Sequence, residues 1–145
     1  MERITFAGTL DALDGIRRVV KAQAEEAGLA RKPTYNLLLA VDEIATNIIT
    51  HGYEENNLSG PVDLLTDCSN ECFTVVLEDE APAFDPLHHQ LPTDELFARP
   101  LEERPIGGMG IHLTIKGVDK FSYEYLGGRN RNIFCMNVPE LPPAP

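Results

Sequence analysis

Residues 37–53, LLLAVDEIATNIITHGY, have the pattern of a central helix around which the other elements pack. At about 100° per residue, the apolar side chains of this stretch fall on one side of a helix that packs into a core. Glu43 and Asn47 lie one turn apart along the flank of that side, where a helix can present polar groups to a pocket. Pro33 is expected to open the helix in its first turn, and Gly52 is expected to end it.

The spacing of Glu43 and Asn47 has two interpretations. A carboxylate and a carboxamide oxygen at positions i and i+4 are hard ligands that can reach one hydrated Mg²⁺ ion and the water or hydroxyl beside it. This predicts a site that handles phosphate groups. The same spacing also suits a hydrogen-bonded pair on a helix surface, and the helix alone leaves both interpretations open.

Composition restricts the class of protein. The chain has 145 residues, 43% of them hydrophobic and 24% charged, which are ordinary values for one globular domain. Its net charge of −11 would repel nucleic acid and attract a basic protein partner. No apolar run approaches the roughly 20 residues of a membrane span, and the start MERITFAGTL does not resemble a signal peptide. We therefore expect a cytoplasmic protein that contacts neither nucleic acid nor membrane.

The remaining residue patterns predict an α+β domain. Alternation over residues 2–8 favours a strand with Ile4 and Phe6 facing inward, and residues 9–28 have the periodicity of a helix that Gly28 ends. Four further strands are predicted as two hairpins, at 62–67 with 73–78 and at 121–126 with 132–138, the second joined by a turn at 127–130. We assign residues 1–138 to a single domain and residues 139–145 to a Pro-rich tail.

A glycine-rich segment stands between the two hairpins. Gly107, Gly108 and Gly110, flanked by Ile106 and Met109, lead directly into an apolar stretch predicted to be a helix. Glycines ahead of a helix N-terminus let backbone N–H groups approach an anion, and the helix dipole favours negative charge there. The segment is therefore suited to phosphate groups.

Three stretches now stand in a fixed order: a helix with a Glu-x-x-x-Asn motif, a strand that ends in Asp79, and the glycine-rich turn. Their order and spacing resemble the GHKL superfamily of ATPases and kinases, most closely the bacterial anti-sigma-factor serine kinases. The most specific pieces are Asp42-Glu43-Ile44-Ala45-Thr46-Asn47, His51-Gly52-Tyr53 and Phe84-Asp85-Pro86.

The resemblance implies a two-layer α+β sandwich, with a mixed, mostly antiparallel sheet and helices on one face, known as the Bergerat or histidine-kinase-like ATPase fold. It implies ATP and Mg²⁺ as cofactors, with Glu43 as the catalytic general base and Asn47 as the metal ligand. Asp79 would receive the adenine amino group. The cofactor-binding residues implied are Asn47, Asp79, Ile106, Gly107, Gly108, Met109 and Gly110.

The resemblance also implies a function. It predicts a protein-serine kinase that phosphorylates an anti-anti-sigma protein of the STAS type, sequesters a sigma factor and forms a homodimer. Two departures favour an alternative, a partner-binding regulator of the same fold with weak or no nucleotide binding: Glu80-Ala81 replaces the usual x-Gly after Asp79, and Ile106 replaces a frequent glycine. A stand-alone ATP hydrolase is disfavoured, because no transducer domain follows the last strand.

Overall fold

The computed structural model describes residues 2–69, 71–87 and 115–139. In chain order, its helices and strands are β1 (Glu2–Ala7), α1 (Leu13–Glu26), α2 (Arg31–Asn47), β2 (Pro61–Cys68), β3 (Cys72–Asp79), β4 (Lys120–Leu126) and β5 (Arg129–Asn137). A 3₁₀ turn, Leu10–Ala12, precedes α1, and a π-helical turn, Ile48–Tyr53, continues α2.

The strands form one five-stranded sheet in the order β1-β2-β3-β5-β4. Every pairing in this described sheet is antiparallel. Both helices pack on the same face of the sheet, and the core between the layers includes Ile16, Val20, Leu37, Val41, Ile44, Val62, Leu64, Val75, Leu77 and Phe134. The predicted two-layer α+β fold with helices on one face is therefore confirmed.

Gly28 ends α1 as the sequence predicts. Its φ of +83° lies in the left-handed region, which glycine adopts without a steric penalty. The Gly28 N–H donates to Glu25 O at 3.1 Å, and the Leu29 N–H donates to Ala24 O at 3.1 Å. These two bonds satisfy carbonyl groups that the end of the helix would otherwise leave unpaired.

One predicted detail holds only in part, and another is wrong. Ile4 lies on the same face as its buried partner Leu64, but it is 36% exposed because β1 is an edge strand. The final hairpin turns at Gly127 and Gly128 alone, with φ values of +61° and +78°, the two positive angles of a type I′ turn. Strand β5 therefore begins at Arg129, and Asn130 belongs to the strand, directly opposite Asp79.

The face of the sheet away from the helices carries a network of ion pairs. Asp63 Oδ2 accepts hydrogen bonds from Arg3 at 2.7 Å and from Arg129 at 2.5 Å, and Glu78 Oε2 accepts one from Arg131 at 3.3 Å. Burial acts to raise the pKa of Asp63, but the bonds from Thr5 and Arg3 and the charge of Arg129 outweigh it and lower that pKa. Paired charges therefore join neighbouring strands on this face of the described sheet.

The central helix does not end at Gly52, because the chain continues as a π-helical turn through Tyr53. Tyr53 is buried, and its hydroxyl donates to Pro61 O at 2.7 Å and accepts the Glu80 N–H at 2.8 Å. The same burial raises the pKa of Tyr53. One side chain thus joins the turn after α2 to the first residue of β2 and to the residue that follows β3.

We expect Tyr53→Phe to lower the free energy of unfolding by about 1–3 kcal/mol, because Pro61 O and the Glu80 N–H lose their hydrogen-bond partner. Urea denaturation measures this change. The matched control is Tyr35→Phe, since Tyr35 is exposed on α2 and its hydroxyl has solvent available; we expect a change within about 0.5 kcal/mol. Equal effects of the two substitutions would contradict the role given to the Tyr53 hydroxyl.

Candidate functional site

A cavity of about 210 Å³ lies between the end of α2, the π-helical turn and the adjoining strands β3 and β5. Most of its wall is apolar or small, and five of the lining residues carry a carboxyl or carboxamide group. The residues that line it are Ile44, Asn47, Ile48, His51, Gly52, Asn56, Asp79, Ala81, Pro82, Ala83, Phe84, Pro86, Asn130 and Asn132. An apolar slot with a few placed polar groups is the usual form of a small-molecule site.

Asp79, the last residue of β3, is the buried charge of this cavity and is only 1% exposed. Its Oδ1 accepts the Ala81 N–H at 3.0 Å and Asn130 Nδ2 at 2.9 Å. Its Oδ2 is buried and has no hydrogen-bond partner among the described residues. Burial raises the pKa of Asp79, and the hydrogen bonds from Asn130 and Ala81 offset this only in part. The cavity therefore contains a strong acceptor that is suited to a ligand donor.

Asn130 fixes the loop that follows Asp79. Its Nδ2 donates to Asp79 Oδ1, to Ala81 O at 3.0 Å and to Pro82 O at 3.2 Å. Its Oδ1 accepts the Phe84 N–H at 3.1 Å and the hydroxyl of Tyr123. One carboxamide thus holds the backbone of the loop against β5, which keeps the rim of the cavity in place.

Ala81 does not strain this loop. Asn57 is the one non-glycine residue with positive φ in the described part of the chain, so Ala81 has an ordinary backbone conformation. A Cβ placed on Gly52 would stand 2.9 Å from the Cβ of Ala81. The Ala81 methyl group therefore occupies space left by Gly52, and Gly52 serves close packing where the sequence suggested a helix stop.

Glu43 and Asn47 both lie on α2, but only Asn47 lines the cavity. Asn47 Nδ2 donates to Glu43 O at 2.9 Å and to Glu43 Oε1 at 3.3 Å. The hydrogen-bonded pair anticipated from the sequence is therefore present. The carboxamide oxygen of Asn47 receives no hydrogen bond from a described residue, so it can still serve as a metal ligand.

The structure thus brings Asn47 and Asp79 to one cavity, and Glu43, one helical turn from Asn47, is not among the residues that line it. The predicted residues Ile106, Gly107, Gly108, Met109 and Gly110 lie outside the described residues, and their roles stay predictions. Within residues 2–69, 71–87 and 115–139, no three His, Cys, Asp or Glu side chains converge on a metal position. No helix in that part of the chain is long and apolar enough to span a membrane.

Two asparagines of β5 that line the cavity have no role in the sequence-based prediction. Asn130 and Asn132 are each 3% exposed, and they face the helices together with Phe134 and Met136. The signal available in the sequence was the alternation Asn-x-Asn-x-Phe-x-Met, which places two polar side chains on the core face of a strand. Placing Asn130 in the turn concealed that alternation.

The fold is that of an α+β domain with a cavity between a helix and the end of a sheet. The family model for the histidine kinase-like ATPase domain matches residues 6–137, and the chain belongs to this family. A search of curated protein sequences gave no match.

Among solved structures, the chain is similar to the histidine kinase domain from the blue-light activated histidine kinase of Erythrobacter litoralis EL346. The two are 16% identical with a TM-score of 0.50, and the match covers 87% of this chain and 60% of that one. At this identity the likeness shows the fold alone.

The raised pKa of Asp79 predicts a pH dependence of stability. Because folding raises this pKa above its ordinary value of 3.8, the folded protein favours the protonated form and loses stability as the pH rises through the raised value. We expect the unfolding free energy of the wild type, minus that of the non-titrating variant Asp79→Asn, to increase as the pH is lowered from neutral toward 3.8, the ordinary pKa of this carboxyl group. Urea denaturation of both proteins measures it; a difference that is constant or falls would contradict the burial of this charge.

Proposed function

We propose that the chain binds ATP together with Mg²⁺ in the cavity between α2 and β3. The observation that carries this proposal is Asp79 Oδ2, a buried carboxylate oxygen that faces an apolar slot and lacks a donor among the described residues. The exocyclic amino group of adenine supplies a donor, and the adenine ring suits an apolar wall. Asp79 is also the residue that the GHKL resemblance assigns to the adenine amino group.

The residues present also fit a magnesium ion that is held largely by phosphates. Mg²⁺ in nucleotide sites usually has one or two protein ligands and takes its remaining ligands from phosphate and water. The carboxamide oxygen of Asn47 is such a ligand, placed at the cavity wall. Mg²⁺ would neutralise phosphate charge during transfer. The glycine-rich segment at Gly107, Gly108 and Gly110 would donate backbone N–H groups to the same phosphates.

Within this class we propose a protein-serine kinase that phosphorylates an anti-anti-sigma partner of the STAS type and sequesters a sigma factor. Glu43 would orient the attacking hydroxyl and accept its proton. Tyr35 and Leu39, both exposed, precede Glu43 at four-residue steps on α2, so a protein bound there would bring a hydroxyl close to Glu43. We further propose that the protein acts in the cytoplasm as a homodimer.

One observation favours a second candidate, a regulator of the same fold that binds partners without transferring phosphate. The Glu43 carboxylate is hydrogen-bonded to Asn47 and does not line the cavity. A base used in catalysis must reach the hydroxyl that it deprotonates. In this second function Glu43 would only stabilise α2, and the acidic surface, with a net charge of −11, would bind a basic partner.

Calorimetric titration with ATP, with and without Mg²⁺, tests the nucleotide site. We expect binding in about the micromolar range that depends on Mg²⁺. Asp79→Asn is expected to weaken it about 10- to 100-fold, because the charged acceptor becomes an amide that places a donor against the adenine amino group. Asp67→Asn is the matched control, since Asp67 is exposed in β2 and outside the cavity. Absence of binding at about millimolar ATP would contradict the nucleotide site and leave the partner-binding regulator.

Phosphotransfer to purified STAS-type anti-anti-sigma proteins, measured with labelled ATP, separates the two candidate functions. We expect Glu43→Ala to reduce transfer by at least about 100-fold, since general-base catalysis contributes roughly that much, while ATP affinity changes little. Glu25→Ala, an exposed change on α1, is the control and should leave transfer intact. Loss of transfer and affinity to the same extent would show that Glu43 is not the base.

A further inference from the structure

Asn132 is a second buried polar residue of the cavity, and its acceptor oxygen has no partner among the described residues. It lies on β5 opposite Leu77, lines the cavity and is 3% exposed. Its Oδ1 is buried and has no hydrogen-bond partner among the described residues. Burying such an acceptor without a donor is unfavourable, so a carboxamide at this position needs a reason beyond packing.

Asp79 and Asn132 are diagonal neighbours on one face of the sheet, because Asp79 pairs with Asn130 and Leu77 pairs with Asn132. Diagonal neighbours across antiparallel strands lie about 7–8 Å apart, which leaves room for a small donor group between two short side chains such as these. The cavity therefore presents two acceptors without partners in the described structure, Asp79 Oδ2 and Asn132 Oδ1, to the same space. Asn130, the other asparagine of this face, is fully engaged with the loop and is not available to a ligand.

We propose that Asn132 is a specificity-determining residue for the nucleotide base, and that its Oδ1 and Asp79 Oδ2 together accept the two hydrogens of one exocyclic amino group. Adenine carries such a group with two donor hydrogens. Guanine and hypoxanthine carry a carbonyl oxygen at the same ring position, which would face two acceptor oxygens and be rejected. The inference rests on the proposed nucleotide site and adds a determinant of its base preference.

A cycle of two proteins and two ligands tests the contact. The wild type and Asn132→Leu are each titrated with ATP and with the triphosphate of purine riboside, which lacks the exocyclic amino group. We expect Asn132→Leu to weaken ATP binding about five- to tenfold and to bind the amino-free ligand nearly as well as the wild type does. The ratio of the affinity for ATP to the affinity for the amino-free ligand is thus about five- to tenfold smaller in the variant than in the wild type.

Thermal unfolding without ligand separates this role from a structural one. Leucine has the same branching and number of side-chain heavy atoms as asparagine and removes a buried acceptor without a partner, so we expect the variant to be as stable as the wild type or more stable. Asn132→Val, which suits a strand, repeats the test if leucine prevents folding. Asn137→Leu, on the exposed end of β5, is the matched control and should leave both affinities unchanged.

The outcomes distinguish this inference from the proposed function. In one outcome, the wild type binds ATP and Asp79→Asn weakens that binding, but removal of the amino group from the ligand lowers affinity equally in the wild type and in Asn132→Leu. This outcome would overturn the role of Asn132 alone. If Asn132→Leu weakens ATP binding and also lowers the melting temperature, Asn132 has a structural role. That result would also overturn its role in base recognition. Absence of ATP binding by the wild type would overturn the nucleotide site, and the base contact with it.

Discussion

The hydrogen bond from Asn130 to Asp79 is the contact on which the cavity depends. A carboxylate at the end of a central strand is costly to bury, and its raised pKa reflects that cost. Asn130 stabilises one oxygen of this carboxylate, and its remaining bonds to Ala81, Pro82 and the Phe84 N–H hold the following loop against the sheet. The other oxygen keeps no partner in the described structure. The domain therefore maintains a local instability at the point where a ligand donor would relieve it, which is a common property of binding sites.

Side-chain size sets the second constraint on the cavity. Gly52 and Ala81 approach so closely that a second methyl group would not fit, and Tyr53 next to them fixes the distance between the π-helical turn and the start of β2. A π-helical turn is uncommon and is frequently found at functional sites, because it changes the direction in which the following side chains point. Here it places His51 and Gly52 in the cavity wall while Tyr53 stays buried. The shape of the slot thus depends on contacts between elements that are distant in the sequence.

The sequence was sufficient to predict what depends on local periodicity and short motifs. The two helices, the Gly28 stop and the strands follow from apolar spacing and from glycine conformation, and the position of Asp79 at a strand end follows with them. The partner of Asp79 could not be predicted in this way, since Asn130 is 51 residues away. The sequence pattern also assigned Asn130 to the turn at 127–130, whereas the structure places it in β5. Which oxygens remain without partners is likewise a property of the packed site, because it depends on every neighbour at once.

Strand β5 begins Arg-Asn-Arg-Asn, and the strand paired with it ends Glu-Asp. Successive residues of a strand point to opposite faces, so each of these short sequences places one type of side chain on the outer face and another on the inner face. The arginines and Glu78 meet on the outer face as ion pairs, while the asparagines and Asp79 meet on the inner face around the cavity. A slip of one residue in this pairing would exchange the two faces and place guanidinium groups in an apolar slot. The ion pairs of the outer face therefore stabilise the strand register that places the asparagines and Asp79 on the inner face. The same few residues determine both the pairing of these strands and the chemistry of the cavity.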